Sequence, residues 1–336
     1  MTNDDEDLQR RRGPFYTPRP DEGGVRTACA ISARGSFRTP RPDEGRVASA
    51  VAADARWAGV LALDVLDDEV RCLRPAPWDG RGAAPRRWLE LDDARFVGWL
   101  RGAYGARVSA AAAARIARAV AERRPYSPVA SYLGALRWDG RPRAESWLSR
   151  YFGAPVGRRS GLLGSHFLVG AAARALRPGG PAPPVLAFCG PQGSGKSAAL
   201  AALGGEWYKQ GYLRRVGRDE LLTLRGAWIF EVTDLSGRTT LKMEGFLQAK
   251  SDIYRPPYER AAREFPRQVA FAVTSQDPPA SEVVSPDWVP YGVCRVRTAP
   301  ADVPALARDR DQLWAEAVHL LRSGAGRWRR WLRDVS

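Results

Sequence analysis

The feature that most constrains this chain is a glycine-rich stretch of eight residues, Gly190–Ser197, which reads G-P-Q-G-S-G-K-S. It follows an apolar run, Val185–Cys189, and precedes a helix-forming run, Ser197–Leu203. Strand, glycine loop and helix in this order, with the spacing G-x-x-x-x-G-K-[ST], form the context of a phosphate-binding loop. Glycines let backbone N–H groups turn toward a phosphate, and a helix N-terminus adds partial positive charge. The alternative is a chance match in a glycine-rich chain, and the flanking strand and helix count against it.

The polar residues of this loop predict a site for a nucleoside triphosphate and Mg²⁺. Lys196 would reach the β- and γ-phosphates, and the Ser197 hydroxyl would bind the metal ion. The chain has only four lysines among its 52 basic residues, so a lysine at the one position that needs a compact ammonium is informative. The remaining residues expected to hold the nucleotide are Gly190, Gln192, Gly193, Ser194 and Gly195.

A second strand, within Gly226–Asp234, carries an acid inside an otherwise apolar run. Burying a carboxylate without a cation partner is costly, so this acid needs a reason to be there. We expect Glu231 to act on Mg²⁺ or on the attacking water, with Asp234 assisting, and the two roles are interchangeable at this stage. The alternative is a salt bridge from Glu231 to Lys242 or Arg225.

A further strand, Gln268–Thr274, ends in the polar residues Thr274, Ser275 and Gln276. In motor-type NTPases, a polar residue at the tip of the strand between the two nucleotide-binding strands contacts the γ-phosphate and the attacking water. Gln276 or Thr274 would serve here. Polar residues commonly end strands, so this pattern alone is weakly diagnostic.

Between these strands lies a basic segment, Ser251–Arg260, in which Arg255 stands beside Tyr254. Arginine stabilises charge on a transferring phosphoryl group and also grips nucleic-acid phosphates. Arg255 is a candidate for either role. The alternative is a solvated basic loop.

The composition limits the kinds of partner, metal site and location that we expect for this chain. The net charge of +15 favours polyanion binding, and nucleic acid is the usual partner, although arginine enrichment from genome base composition explains the charge equally well. The four scattered cysteines contain no C-x-x-C pair, so we expect neither a zinc site nor a disulfide framework, and we expect a cytoplasmic location. No apolar stretch approaches the roughly 18 residues that predict a membrane span.

Pattern along the chain predicts three regions. Residues 1–50 are rich in Pro, Gly and charged residues and contain a duplicated heptapeptide, at 17–23 and 39–45, which predicts a disordered tail. Residues 51–125 predict a small, mainly helical region with a hairpin near Gly59–Leu73 and helices at Leu91–Tyr104 and Ser109–Arg124. Residues 126–336 predict an α/β nucleotide-binding domain.

With these segments assembled, the chain resembles the virulence-associated E (VapE-like) family. These are P-loop proteins of phages, prophages and pathogenicity islands, related in layout to superfamily 3-type helicases. The resemblance runs from about Tyr126 to Trp328 and rests on five segments in the family's order. They are Trp138–Arg143, the Walker A loop Gly190–Ser197, Trp228–Glu231 with Asp234, Asp252–Tyr258 and Asp309–Ala317.

The resemblance implies a P-loop NTPase with a helicase-like or AAA+-like αβα core. It also implies ATP hydrolysis coupled to work on DNA in replication, a homo-oligomer, and a separate primase, because the first 125 residues are too short for a primase domain. The chain departs from the family pattern at Gln276, where an asparagine is usual, and around Cys294. It keeps Arg295 in that segment, and Arg255 or Arg295 would stabilise developing charge. Two other functional hypotheses remain open, a degenerate nucleotide-binding module and a small-molecule kinase.

Overall fold

Strands and helices alternate through the second half of the chain, as its apolar runs predict. The computed structural model describes residues 42–80, 84–213, 217–233, 241–256, 261–276, 291–295 and 300–323, all within one compact unit that starts at residue 35. The α-helices are α1 (Pro42–Ala53), α2 (Glu90–Tyr104), α3 (Ala110–Ala121), α4 (Pro128–Ala135), α5 (Trp147–Phe152), α6 (Arg158–Leu176), α7 (Lys196–Gly204), α8 (Arg218–Thr223), α9 (Leu241–Gln248) and α10 (Val303–Ser323). In the described part of the chain, no helix has both the length and the apolar character needed to cross a bilayer.

The strands form three sheets. They are β1 (Leu61–Asp64), β2 (Glu69–Cys72), β3 (Arg86–Arg87), β4 (Pro125–Tyr126), β5 (Val185–Cys189), β6 (Tyr208–Gly211), β7 (Ile229–Thr233), β8 (Ser251–Tyr254), β9 (Arg263–Pro266), β10 (Ala270–Ser275) and β11 (Tyr291–Arg295). The largest sheet has five parallel strands in the order β11-β5-β10-β7-β6. Parallel strands bring their carboxyl ends to one edge of a sheet. The ends of β5, β10 and β7 therefore meet at that edge.

Alternate side chains along these strands pack on opposite faces of the sheet. Leu186 and Phe188 of β5 pack on one face, with helices α6, α7 and α10, whereas Ala187 packs into a second cluster on the other face. On β7, Ile229 belongs to the helix-covered face and Phe230 to the other. Side chains two residues apart in a strand share a face, so Glu231 lies on the side of α7.

The region before the parallel sheet is less helical than the sequence predicts. Strands β1 and β2 form the predicted antiparallel hairpin, and the short strands β3 and β4 extend it to a four-stranded sheet in the order β3-β2-β1-β4. Two-residue strands are too short to show a period in sequence. The predicted helices α2 and α3 are present, and Phe96 and Leu100 are buried in a core with Trp57, so these side chains pack the core. The predicted domain boundary after residue 125 stays a prediction.

Helix α1 corrects the prediction of a disordered tail, which is wrong for residues 42–50. The second copy of the duplicated heptapeptide supplies Pro42 and two acids to the first turn, where proline and negative charge favour a helix start. Ala48 and Val51 are buried, and Arg115 of α3 pairs with Glu44 over 2.6 Å. The stabilising partner lies 71 residues away, so local composition could not show it. Residues 1–41 lie outside the described residues.

The first four residues of the basic segment Ser251–Arg260 form strand β8, which pairs antiparallel with β9. Asp252 of β8 has its partner 15 residues away in the sequence, which is why no strand pattern was visible. Arg267 donates to both carboxylate oxygens of Asp252 at distances of up to 2.8 Å. Tyr254 stacks on Phe265 with ring centroids 4.6 Å apart.

The turn between β1 and β2 joins the N-terminal sheet to the parallel sheet. Asp68 is buried and accepts from Arg263 of β9 over 2.6 Å, and from Arg118 of α3. Arg225, which precedes β7, lies 3.4 Å from the same carboxylate. Gln268, which precedes β10, donates to the backbone carbonyl of Val65 over 2.9 Å. The N-terminal sheet is thereby held at the amino ends of β7 and β10.

Candidate functional site

The glycine loop joins β5 to α7, as the sequence predicts. Gly193 and Gly195 have φ angles of +81° and +84°, in the left-handed region that residues with a Cβ rarely adopt. A Cβ atom at Gly195 would lie 3.2 Å from the Cβ of Ala301, whereas at Gly193 it would meet open space. The backbone amide of Ala301 donates to the carbonyl of Ser194 over 2.9 Å. Two of the glycines are therefore needed for the backbone path, and the segment before α10 lies against the loop.

Lys196 is the first residue of α7, and its ammonium folds back over the loop. Its Nζ donates to the carbonyl oxygens of Gly190 and Pro191, each over 2.8 Å, and to the Ser194 hydroxyl over 3.2 Å. Burial lowers the pKa of Lys196 below the ordinary value of a lysine. The positive charge is thus held at the loop by neutral acceptors.

Glu231 lies at the centre of the site, with its side chain fully buried. Its Oε1 accepts hydrogen bonds from the Ser197 hydroxyl over 2.7 Å and from the Thr274 hydroxyl over 2.5 Å. Its Oε2 accepts from the Tyr208 hydroxyl over 2.6 Å. One helix, α7, and two strands, β6 and β10, therefore supply neutral donors to one carboxylate. The arrangement brings the acid of β7 to the first turn of α7, as the sequence predicts for a nucleotide-binding edge.

The alternative of a salt bridge from Arg225 to Glu231 is not observed. Arg225 contacts Asp68 instead, and the side chain of Lys242 lies outside the described residues. Buried carboxylates are costly unless a cation or several donors satisfy them. Three hydroxyl donors satisfy Glu231 without neutralising its charge. A cation at this position would therefore be stabilised.

The position of β10 determines which of the two polar candidates at its end lies beside Glu231. Strand β10 lies between β5 and β7, although it follows both in sequence. This order brings Thr274 beside Glu231, and Thr274 is buried. Gln276 is exposed and makes no hydrogen bond to the described residues. Thr274 is the residue that the structure brings into the cluster.

Of the remaining predicted residues, Arg255 is not in contact with Glu231. Arg255 follows β8, is exposed, and forms no ion pair or hydrogen bond with any residue that the structure describes. Arg295 ends β11, which pairs with β5 so that its backbone lies opposite Cys189. The side chain of Arg295 and all of Asp234 lie outside the described residues. Their predicted roles, like that of Gln192 in the loop, stay predictions.

Sequence reasoning missed Tyr208. An aromatic residue at the start of a short strand is ordinarily a packing residue, and its partner Glu231 is 23 residues away. The contact depends on β6 lying beside β7 at the sheet edge, a pairing that apolar periodicity does not reveal. No local signal in the sequence marks this tyrosine.

Two of the segments that carry the family resemblance lie against each other. In the first, the backbone amides of Arg143 and Ala144 donate to the carboxylate of Glu316 on α10, over 2.6 Å and 2.9 Å. In addition, the Asp139 amide donates to the side chain of Gln312 over 2.9 Å. The segment Trp138–Arg143 therefore fixes α10 to the helices before the parallel sheet. These contacts of the segment do not involve Glu231, so the segment supports the fold.

The fold and the site define a mixed α/β protein with a five-stranded parallel sheet and a glycine loop between its strand β5 and helix α7. The family model described as the virulence-associated protein E-like domain matches residues 133–334, which is more than half of the chain. The chain belongs to this family, and the recognition made from its motifs is confirmed.

Comparison with curated proteins gives no match. Among solved structures, the apo NrS-1 C-terminal region (305–718) is similar at 10% identity with a TM-score of 0.45, over 82% of this chain and 69% of that chain. The A form of the apo NrS-1 C-terminal region is similar at 10% identity with a TM-score of 0.43, over 76% of this chain and 65% of that chain. This chain thus spans about two thirds of the length of the structures it resembles.

Proposed function

We propose that this chain binds ATP with Mg²⁺ at the glycine loop and hydrolyses it. The observation that carries the proposal is the meeting of Ser197, at the start of α7, with the buried carboxylate of Glu231. A hydroxyl and a carboxylate in contact, beside a lysine on a glycine loop, are the parts that phosphoryl-transfer sites use to hold Mg²⁺ and a triphosphate. The ion itself would neutralise charge on the phosphate oxygens.

The residues present fit these ligands. Lys196 Nζ now donates to two loop carbonyls and one hydroxyl, and phosphate oxygens would be stronger acceptors for the same donors. Mg²⁺ commonly takes one or two protein oxygens and completes its shell with phosphates and water. Ser197 and Glu231 would supply those protein oxygens. Glu231 would also orient the attacking water, with Asp234 assisting, and Thr274 would hold the carboxylate from the neighbouring strand.

We further propose that hydrolysis drives helicase-like work on DNA, in the replication of a phage or another mobile element. The family membership and the net charge of +15 support this part of the proposal. Arg255 is exposed after the hairpin strand β8 and is free to contact a DNA phosphate or a nucleotide on a neighbouring subunit. Motors of this kind act as homo-oligomers, and a separate primase and a cytoplasmic location belong to the same proposal.

The test is the rate of ATP hydrolysis by the full chain with and without single-stranded DNA, with the mass of the particle measured in the same buffer. The proposal predicts hydrolysis that DNA stimulates and an assembly larger than one chain. DNA binding through phosphates should also fall steeply as salt rises, since about one condensed ion is released per contact. ATP binding with background turnover, unchanged by DNA, would instead support a degenerate binding module. Phosphate transfer to a small molecule would support a kinase.

A further inference from the structure

The hydroxyl of Tyr208 is the donor that the described residues provide to Oε2 of Glu231, over 2.6 Å. The other two donors, Ser197 and Thr274, both bind Oε1. The terminal torsion of a glutamate side chain is broad and roughly two-fold, so donors on one oxygen alone leave the carboxylate plane weakly fixed. A donor on the second oxygen fixes that plane. Tyr208 therefore determines which edge of the carboxylate faces the glycine loop.

The placement of Tyr208 is itself well determined. Tyr208 lies in β6 opposite Ile229, and Gln210, two residues later on the same face, lies opposite Glu231. Helix α7 ends at Gly204, where a Cβ atom would come within 2.8 Å of the Tyr208 Cβ. Because Gly204 has no side chain, Tyr208 can pack closely against the C-terminal end of α7. The tyrosine therefore contacts the helix that follows the glycine loop.

The phenol has one proton and two acceptors within reach. Glu231 Oε2 lies 2.6 Å away, and the side-chain oxygen of Gln210 lies 3.0 Å away. Hydrogen bonds to charged acceptors are shorter and stronger than those to neutral ones, so the proton is directed at the carboxylate.

We propose that Tyr208 is a positioning residue for the reaction at this site, and that it acts by orienting the carboxylate of Glu231. The inference rests on the proposed ATP hydrolysis. Tyr208 is not expected to contact the nucleotide. Its removal should leave ATP binding intact and slow the step in which Glu231 orients water.

The test compares Tyr208→Phe, which removes only the hydroxyl, with Tyr104→Phe. Tyr104 also donates its hydroxyl to a carboxylate, that of Asp54 over 2.7 Å, but does so in the N-terminal region. Steady-state hydrolysis by the full chain should show kcat lowered about ten-fold in Tyr208→Phe, because a misplacement of about 1 Å can cost about 100-fold and the loss of one orienting hydrogen bond should displace Glu231 by less. The KM for ATP should stay within about two-fold of the wild-type value. Tyr104→Phe should match the wild type in both.

A second comparison tests whether Tyr208 acts through Glu231. In a Glu231→Gln background, single-turnover rates should be the same with and without the Tyr208→Phe change, because residues that act as a unit are non-additive. A ten-fold loss that persists in that background would overturn the proposal, as would a wild-type kcat in Tyr208→Phe. Unfolding of Tyr208→Phe at the assay temperature would also overturn it, by making the residue purely structural. A wild-type chain without hydrolysis would overturn the proposed function together with this inference, whereas the preceding results leave that function standing.

Discussion

The Ser197 hydroxyl and the Glu231 carboxylate are joined by a 2.7 Å hydrogen bond, although 34 residues separate them in sequence. The bond connects two elements of the site, because Ser197 is the second residue of the helix after the glycine loop and Glu231 belongs to β7, which lies two strands from β5 in the sheet. Thr274, on the strand between them, donates to the same carboxylate oxygen. The site is thus produced by strand order, and its chemistry follows from placing one buried acid at that edge.

Glu231→Gln should separate binding from turnover. The amide keeps the shape of the side chain and loses its charge, so ATP binding should change by only a few-fold while kcat falls on the order of 100-fold or more. Calorimetric titration and steady-state hydrolysis measure the two quantities. Glu264→Gln, at an exposed position of β9, is the matched control and should leave both unchanged. Equal turnover in Glu231→Gln and the wild type would remove Glu231 from the reaction.

The two left-handed glycines of the loop should respond differently to alanine. Each substitution places a Cβ at a positive φ, which costs about 1 kcal/mol or more. Gly195→Ala in addition brings a methyl group to 3.2 Å from Ala301, so it should lower the free energy of unfolding further than Gly193→Ala does. Urea unfolding curves of the two variants measure the difference. Equal losses would show that the segment before α10 does not pack on the loop in solution.

Substitution of Asp68 should strongly lower the free energy of unfolding. Asp68→Asn removes the charge that Arg118 and Arg263 share, and breaking a buried ion pair from one side typically costs about 3 kcal/mol or more. Asp43→Asn breaks an exposed pair with Arg46 and should change stability little. Denaturant unfolding of both variants provides the comparison. A loss at Asp68 as small as that at Asp43 would mean that the β1–β2 turn is not anchored as described.

Asp64 should make the stability of the fold depend on pH. Burial, and then the nearby charge of Asp67, raise the pKa of Asp64 from 3.8 to about 6, although Arg71 opposes the shift. Because the pKa of Asp64 is higher in the folded chain than in the unfolded chain, its contribution to the free energy of unfolding is fully present below about pH 4. This contribution is lost as the pH rises through about 6. Relative to Asp64→Asn, the wild-type chain should lose roughly 2 kcal/mol of unfolding free energy between pH 4 and pH 7. A constant difference across that range would contradict the shift.

The sequence predicts the glycine loop and its flanking elements well, because their signals are local. The apolar run Val185–Cys189 is β5 from end to end, and glycine at 193 and 195 matches the left-handed backbone found there. Glu231 also stands out locally, as an acid within an apolar strand. These residues could be chosen before any pairing of strands was known.

What the sequence does not show depends on pairing between distant segments. Thr274 and Gln276 are equivalent candidates until the strand order places Thr274 beside Glu231. Tyr208 has no mark in sequence, since its role comes from β6 lying next to β7. Helix α1 is hidden by its charged composition, because the partner of Glu44 is Arg115 in α3. In each case the deciding contact joins elements that local patterns cannot bring together.

The most direct test of the central claim is calorimetric titration of the full chain with ATP and Mg²⁺, for the wild type, Lys196→Ala and Lys250→Ala. Lys250 is an exposed lysine whose side chain contacts none of the described site residues, so it controls for the loss of a positive charge. We expect binding by the wild type and Lys250→Ala, and an affinity at least about 100-fold weaker in Lys196→Ala, equivalent to nearly 3 kcal/mol. Equal binding by Lys196→Ala and the wild type would contradict ATP binding at the glycine loop, as would no binding by the wild type.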